Sequence, residues 1–93
     1  DQAGCFAIVL EKIPASLAKQ VTESVSCPVI GIGAGNVTDG QVLVLHDMLG
    51  LNQGFKPKFL RQFGQLGEAV KDAVRQYIDA VRDMSFPNQE ESY

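Results

Sequence analysis

The chain has 93 residues, 45% of them hydrophobic and 20% charged, which suffices for one small globular unit at the marginal end of self-sufficient burial. Its formal charge of −3 offers no basic surface to neutralise phosphates, which argues against nucleic acid or an anionic membrane as a partner. No apolar run is long enough to span a bilayer.

Asp1-Gln2-Ala3-Gly4 leads at once into Cys5–Leu10, a run without a charge. Such a run reads as a strand near 5–10, buried on both faces in a parallel sheet covered by helices. Glu11 follows where that strand stops, and Pro14 suits the opening of a helix, where its missing N–H is no loss. In barrels and open α/β sheets the carboxyl ends of strands carry the chemistry, so Glu11 is a candidate catalytic carboxylate. The plainer reading makes it a solvated loop residue or an acceptor for helix-start N–H groups. A parallel strand needs neighbours on both sides. The chain supplies too few and opens without an initiator Met, so it is expected to be a piece of a larger domain. Cys5 and Cys27 make neither a metal cluster nor a disulfide framework; both flank apolar strands and read as small, reduced core residues of a cytosolic protein.

Residues 15–25 place Leu17, Ala18, Val21 and Val25 at helical spacing, with Ser16, Lys19, Gln20 and Glu23 opposite. Ser26-Cys27-Pro28 ends that helix, because the residue before a proline avoids the helical region. Val29–Gly33 then reads as a second buried strand, parallel to the first across a βαβ crossover. Gly33-Ala34-Gly35-Asn36 is a glycine-rich strand exit, either a phosphate cradle or a tight turn with no ligand. No Gly-Lys-Ser/Thr follows it, so the motif is weak. After the turn signal Asp39-Gly40, Val42–Leu45 is favoured as a third strand on its β-branched residues, with a helical turn as the alternative. His46-Asp47 resembles an oriented acid/base pair, but neighbours on a strand point to opposite faces, and a lone His at an element end is ordinarily structural.

Between Gly50 and Phe63 basic residues alternate with phenylalanines. They form either a lid over an anionic substrate or, more simply, aromatic pins holding an irregular segment to the body. Residues 66–84 are the clearest helix, with Leu66, Val70, Val74, Tyr77, Val81 and Met84 in one stripe and Asp72, Arg75, Asp79 and Arg82 opposite. Asn88–Tyr93 reads as a polar tail that frays.

With these residues in view, the chain resembles the ketopantoate (3-methyl-2-oxobutanoate) hydroxymethyltransferase family. The resemblance rests on Val9-Leu10-Glu11 with Ile13-Pro14, on Pro28 to Asn36, on Asp39-Gly40-Gln41 leading to His46-Asp47, and on Pro57-Lys58-Phe59 and Ala73 to Tyr77. It covers nearly the whole chain and the carboxyl-terminal third or so of the family, since such barrels run to about 250 residues. It implies an α/β fold, the carboxyl-terminal portion of a (β/α)8 TIM barrel of the phosphoenolpyruvate/pyruvate type. The three strands would be the last three of that barrel, 66–84 its closing helix, and the assembly a cytoplasmic homo-oligomer, a decamer. In similar barrels the last helix is often exchanged between subunits.

The implied reaction moves a hydroxymethyl group from 5,10-methylenetetrahydrofolate to 3-methyl-2-oxobutanoate, giving 2-dehydropantoate on the way to pantothenate. Glu11 corresponds to the family's general base, made more basic by the apolar residues before it, and Val44 would line the barrel against the branched carbons of the keto acid. The implied cation is Mg²⁺, whose ligands, with an active-site Lys and His, belong to earlier strands outside this chain. The chain alone is therefore expected to be inactive. Two alternatives remain: a barrel enzyme binding phosphate on the Gly33–Asn36 loop with no role for Glu11, and a non-catalytic assembly segment.

Overall fold

A computed structural model describes all residues, 1–93. The order of elements is β1 (Ile8–Glu11), α1 (Ala15–Ser24), β2 (Val29–Ile32), β3 (Gly40–Gln41), α2 (Leu45–Met48) and α3 (Leu66–Arg82). The strands form one parallel sheet in the order β1-β2-β3.

Hydrogen bonds set the limits of the β1–β2 ladder. The Ile8 N–H donates to the Pro28 carbonyl at 2.9 Å, and the Lys12 N–H donates to the Ile32 carbonyl at 2.8 Å. Gly4, Cys5 and Phe6 precede the first of these bonds. The strand therefore begins three residues later than the apolar run suggested, and Phe6 is 92% exposed. Cys5 is likewise exposed and Cys27 only half-buried, so neither is the core residue that its apolar neighbours suggested.

Pro14 occupies the position just before α1, and its carbonyl accepts the Ala18 N–H at 3.0 Å, so the helix starts without needing the N–H that proline lacks. Val25 is extended and closes α1 ahead of Pro28. The Asp1 carboxylate accepts the Ser26 N–H at 3.0 Å and so ties the first residue to the α1–β2 turn. Ala18 and Val29 are fully buried, and with Ala34 they make up the apolar core.

The third strand lies elsewhere than expected. It is Gly40–Gln41, paired with Ile30 and Gly31, and its ladder ends where the Val42 N–H donates to the Gly31 carbonyl at 3.0 Å. Val42–Leu45, read from sequence as the strand, is irregular up to Val44 and then enters the helical turn α2. The β-branched side chains suggested a strand, but the position of the turn at Asp39-Gly40 decided the pairing: Asp39 accepts the Val29 N–H at 2.8 Å and pins the turn beside the start of β2.

α3 is joined to the body near its N-terminal end, where the N–H groups of Leu66 and Gly67 donate to the carbonyls of Leu49 and Gly50 and the Lys71 ammonium donates to the Gln53 side-chain carbonyl at 3.2 Å. Its apolar stripe is open, with Val70, Val74, Tyr77 and Val81 each about half exposed. The chain measures 67 × 28 × 16 Å with a radius of gyration of 22.0 Å, against about 12 Å for a compact chain of this length. Six residues of the 93 are buried. The faces that hydrophobic patterning prepared are thus left open by this chain.

Candidate active site

β1 delivers Glu11 to its carboxyl end. Alternation along the strand puts Val9 and Glu11 on one face and Ile8 and Leu10 on the other, and it is the Val9–Glu11 face that is exposed. The register sets Val9 beside Ile30 and Glu11 beside Ile32, so these four side chains share a face of the sheet. Val9 is 60% exposed there, and Glu11 is exposed beside it. The chain's ion pairs, Lys19–Glu23, Glu68–Lys71 and Asp72–Arg75, all lie within helices and leave Glu11 without a cationic partner.

Immediately after Glu11, Lys12 has φ 51, in the left-handed region that non-glycine residues seldom adopt. This residue turns the chain from strand to helix while keeping its N–H on the Ile32 carbonyl. At the end of β2, Gly33 and Gly35 also have positive φ, 67 and 77. Both are needed for close approach: a Cβ at Gly33 would lie 2.7 Å from the Phe59 ring, and one at Gly35 would overlap the Cβ of Ala15. The Gln41 side-chain amide donates to the Gly35 carbonyl at 2.8 Å and braces the same turn from β3.

The segment after α2 folds back over these strand ends. Two open clefts share Gly33, Gly35 and Phe59 as a common wall. The larger, about 790 Å³, is also lined by Lys12, Phe55 and Lys58; the other, about 630 Å³, by Gln41, Arg61 and Phe63. Phe59 is thus the aromatic pin of the simpler sequence reading, whereas Phe55 and Phe63 remain 80% and 67% exposed. Glu11 and Val44 line neither cleft. Val44 sits at the start of α2, half exposed, and not on a strand. His46 and Asp47 lie within that helical turn and serve the loop: the His46 carbonyl accepts the Leu51 N–H at 2.9 Å, and the Asp47 carboxylate accepts the Asn52 side-chain amide. Sequence reasoning did not single out Lys12, whereas Lys58 belonged to the basic–aromatic alternation of 55–63 that offered a lid over an anionic substrate.

No three His, Cys, Asp or Glu side chains gather as a metal-holding group in this chain. The residues present do not fit the divalent cation that the resemblance implies. No helix is long and apolar enough to cross a membrane.

A parallel sheet with a crossover helix, and with loops gathered at the carboxyl ends of its strands, defines the class as parallel α/β. A family profile described as ketopantoate hydroxymethyltransferase matches residues 1–89, and the chain belongs to that family. It is 58% identical over 93 residues to the 3-methyl-2-oxobutanoate hydroxymethyltransferase of Parabacteroides distasonis, 59% to that of Salinibacter ruber and 57% to that of Caldicellulosiruptor saccharolyticus. In each case all of this chain is matched, but only 34 or 35% of the relative, so the chain spans about a third of the length of these relatives.

Proposed function

We propose that this chain is the carboxyl-terminal part of a (β/α)8 barrel that transfers a hydroxymethyl group from 5,10-methylenetetrahydrofolate to 3-methyl-2-oxobutanoate, with Glu11 as the general base. The C–H bond next to the keto group is acidified by it. Glu11 takes that proton, and the electron pair left on carbon forms the new C–C bond to the one-carbon unit. The two C–N bonds that held the one-carbon unit break to the folate nitrogens, which take up the proton removed by Glu11 and one from water. The hydroxide left from that water becomes the hydroxyl group, tetrahydrofolate departs, and 2-dehydropantoate is the product.

The observation that carries this reading is the position of Glu11. It ends a parallel strand, on the open face of the sheet beside Ile32, with no intrachain cation to neutralise it. The relatives' names support hydroxymethyl transfer to 3-methyl-2-oxobutanoate. Covering of that face by the rest of the barrel would desolvate the carboxylate and make it a stronger base. The cation that the family resemblance implies has no ligand set in these residues, and no step here runs through it.

Replacing Glu11 by Gln in the complete enzyme tests the assignment. Turnover is expected to fall by roughly 10²–10⁴-fold with the assembly intact. Loss of deuterium from the carbon next to the keto group, followed without the folate, is expected to slow equally. A Glu11→Gln variant that washes out the label at the native rate would remove Glu11 from the mechanism and favour a phosphate-binding barrel or an assembly segment.

A further inference from the structure

Lys12, Lys58 and Arg61 stand around Phe59 at the carboxyl end of the sheet, in a chain whose acids outnumber its bases 11 to 8. None belongs to an ion pair, since the chain's three pairs all lie within helices. Cations gathered without counter-charge repel one another, and an anion settling among them relieves that repulsion. Lys12 is fixed at the cleft rim by its left-handed backbone and by its N–H bond to Ile32. Phe59 is fixed by contact with Gly33, and Phe55 offers a second, exposed ring on the same cleft.

A free phosphate would fill little of a cleft of about 790 Å³ and would have no use for aromatic walls. A ligand carrying both a flat ring and carboxylates uses all of these features, and the cleft is within the size range of small-molecule sites. Resting on the transferase reading above, we propose that the larger cleft seats the p-aminobenzoyl-glutamate end of the one-carbon carrier. The ring packs against Phe59 and Phe55, and Lys12 and Lys58 hold the tail carboxylates. Arg61, on the neighbouring cleft, is placed to take a further γ-linked glutamate. Because Lys12 follows Glu11 directly, consecutive residues hold the carrier's tail and act on the keto acid.

The test compares carriers bearing one and three γ-linked glutamates on the complete enzyme and on its Lys12→Gln/Lys58→Gln variant. In the native enzyme the longer tail is expected to lower KM by roughly two- to fivefold per carboxylate engaged. In the double variant the KM ratio is expected to collapse towards one. Arg75→Gln, which removes the same kind of charge from α3, is expected to keep the native ratio. An undiminished ratio in the double variant, or an equal loss in Arg75→Gln, overturns the proposal. So does inorganic phosphate that raises both KM values alike, since the cleft would then be a phosphate site. Absence of hydroxymethyl transfer by the native enzyme would sink the transferase reading, whereas transfer with no dependence on tail length sinks only this inference.

Discussion

The ring of Phe59 lies so close to Gly33 that a methyl group added at Gly33 would stand 2.7 Å from the ring's Cδ1 atom. This contact joins the segment after α2 to the end of β2 and forms the wall that both clefts share. Gly33→Ala must accommodate both the overlap and a left-handed φ, and is expected to cost the complete enzyme about 2–4 kcal/mol. Adding Phe59→Ala removes the overlap but not the backbone strain. A double-mutant cycle by urea denaturation should therefore give a coupling of roughly 1–2 kcal/mol. Strict additivity would mean that the ring does not rest on Gly33.

Asp39 holds the turn before β3 by accepting the Val29 N–H at 2.8 Å. Val29 is fully buried, so the loss of this acceptor leaves its N–H poorly satisfied. Asp39→Ala is expected to destabilise the complete enzyme by about 1–2 kcal/mol, whereas Asp39→Asn keeps an accepting oxygen and should lose less. Denaturant midpoints at constant slope would show the order, and equal losses for the two variants would contradict it.

β1, α1 and β2 were legible in the sequence because their signals are local: an uncharged run, a proline, then an amphipathic helix ended by a second proline. The third strand was not. Val42 and Val44 carry the strand propensity, yet pairing fell on Gly40 and Gln41, because the long-range bond from Val29 to Asp39 fixed where the chain meets β2. Cys5 misled in the same way, since an apolar run does not reveal which residue makes the first ladder bond. The place of Glu11 at a strand end was legible, since β1 ends on that residue. The approach of Lys12 and Lys58 to a common cleft was not, because it depends on contact between Phe59 and Gly33, 26 residues apart in sequence.

The isolated chain is expected to be a poor monomer. With six residues buried and a radius of gyration of 22.0 Å, it leaves the Val9 face of the sheet and the α3 stripe open to water. Separate expression should give concentration-dependent association, binding of hydrophobic dyes and a broad thermal transition. A monomer with a sharp cooperative melt would show that the chain folds independently.

The last turn of α3 closes on a left-handed Met84, φ 63, where glycine is the usual residue. The Met84 N–H donates to the Val81 carbonyl at 3.3 Å and the Ser85 N–H to the Ala80 carbonyl at 3.0 Å, which is the Schellman pattern. Met84→Gly is expected to stabilise this end by about 0.5–1 kcal/mol, read as slower amide exchange in the final turn. Beside it, the Ser85 hydroxyl and N–H hold the Asp83 carboxyl below the usual carboxylate range. A pKa depressed in the folded state adds stability above the ordinary value, and that stability is lost as pH falls through the folded one. Ser85→Ala should move the Asp83 carboxyl back up in an NMR titration, and an unmoved titration would deny the contact.

α3 presents Val70, Val74, Tyr77 and Val81 along one side and Asp72, Arg75 and Asp79 along the other, yet both sides are exposed in this chain. A helix of 17 residues anchored near its N-terminal end gains little from propensity alone, so burial of the apolar stripe is expected to supply most of its stability in the complete protein. Val74→Asp is therefore expected to cost at least about 3 kcal/mol, or to disrupt assembly, because a charge would enter a covered apolar surface. Asp72→Asn, on the opposite side, loses only a solvated pair with Arg75 and should stay within about 0.5 kcal/mol of the native protein. Thermal melts and sedimentation of the two variants separate these outcomes. Equal, small effects would mean that the stripe remains in water, and the helix would then need another source of stability.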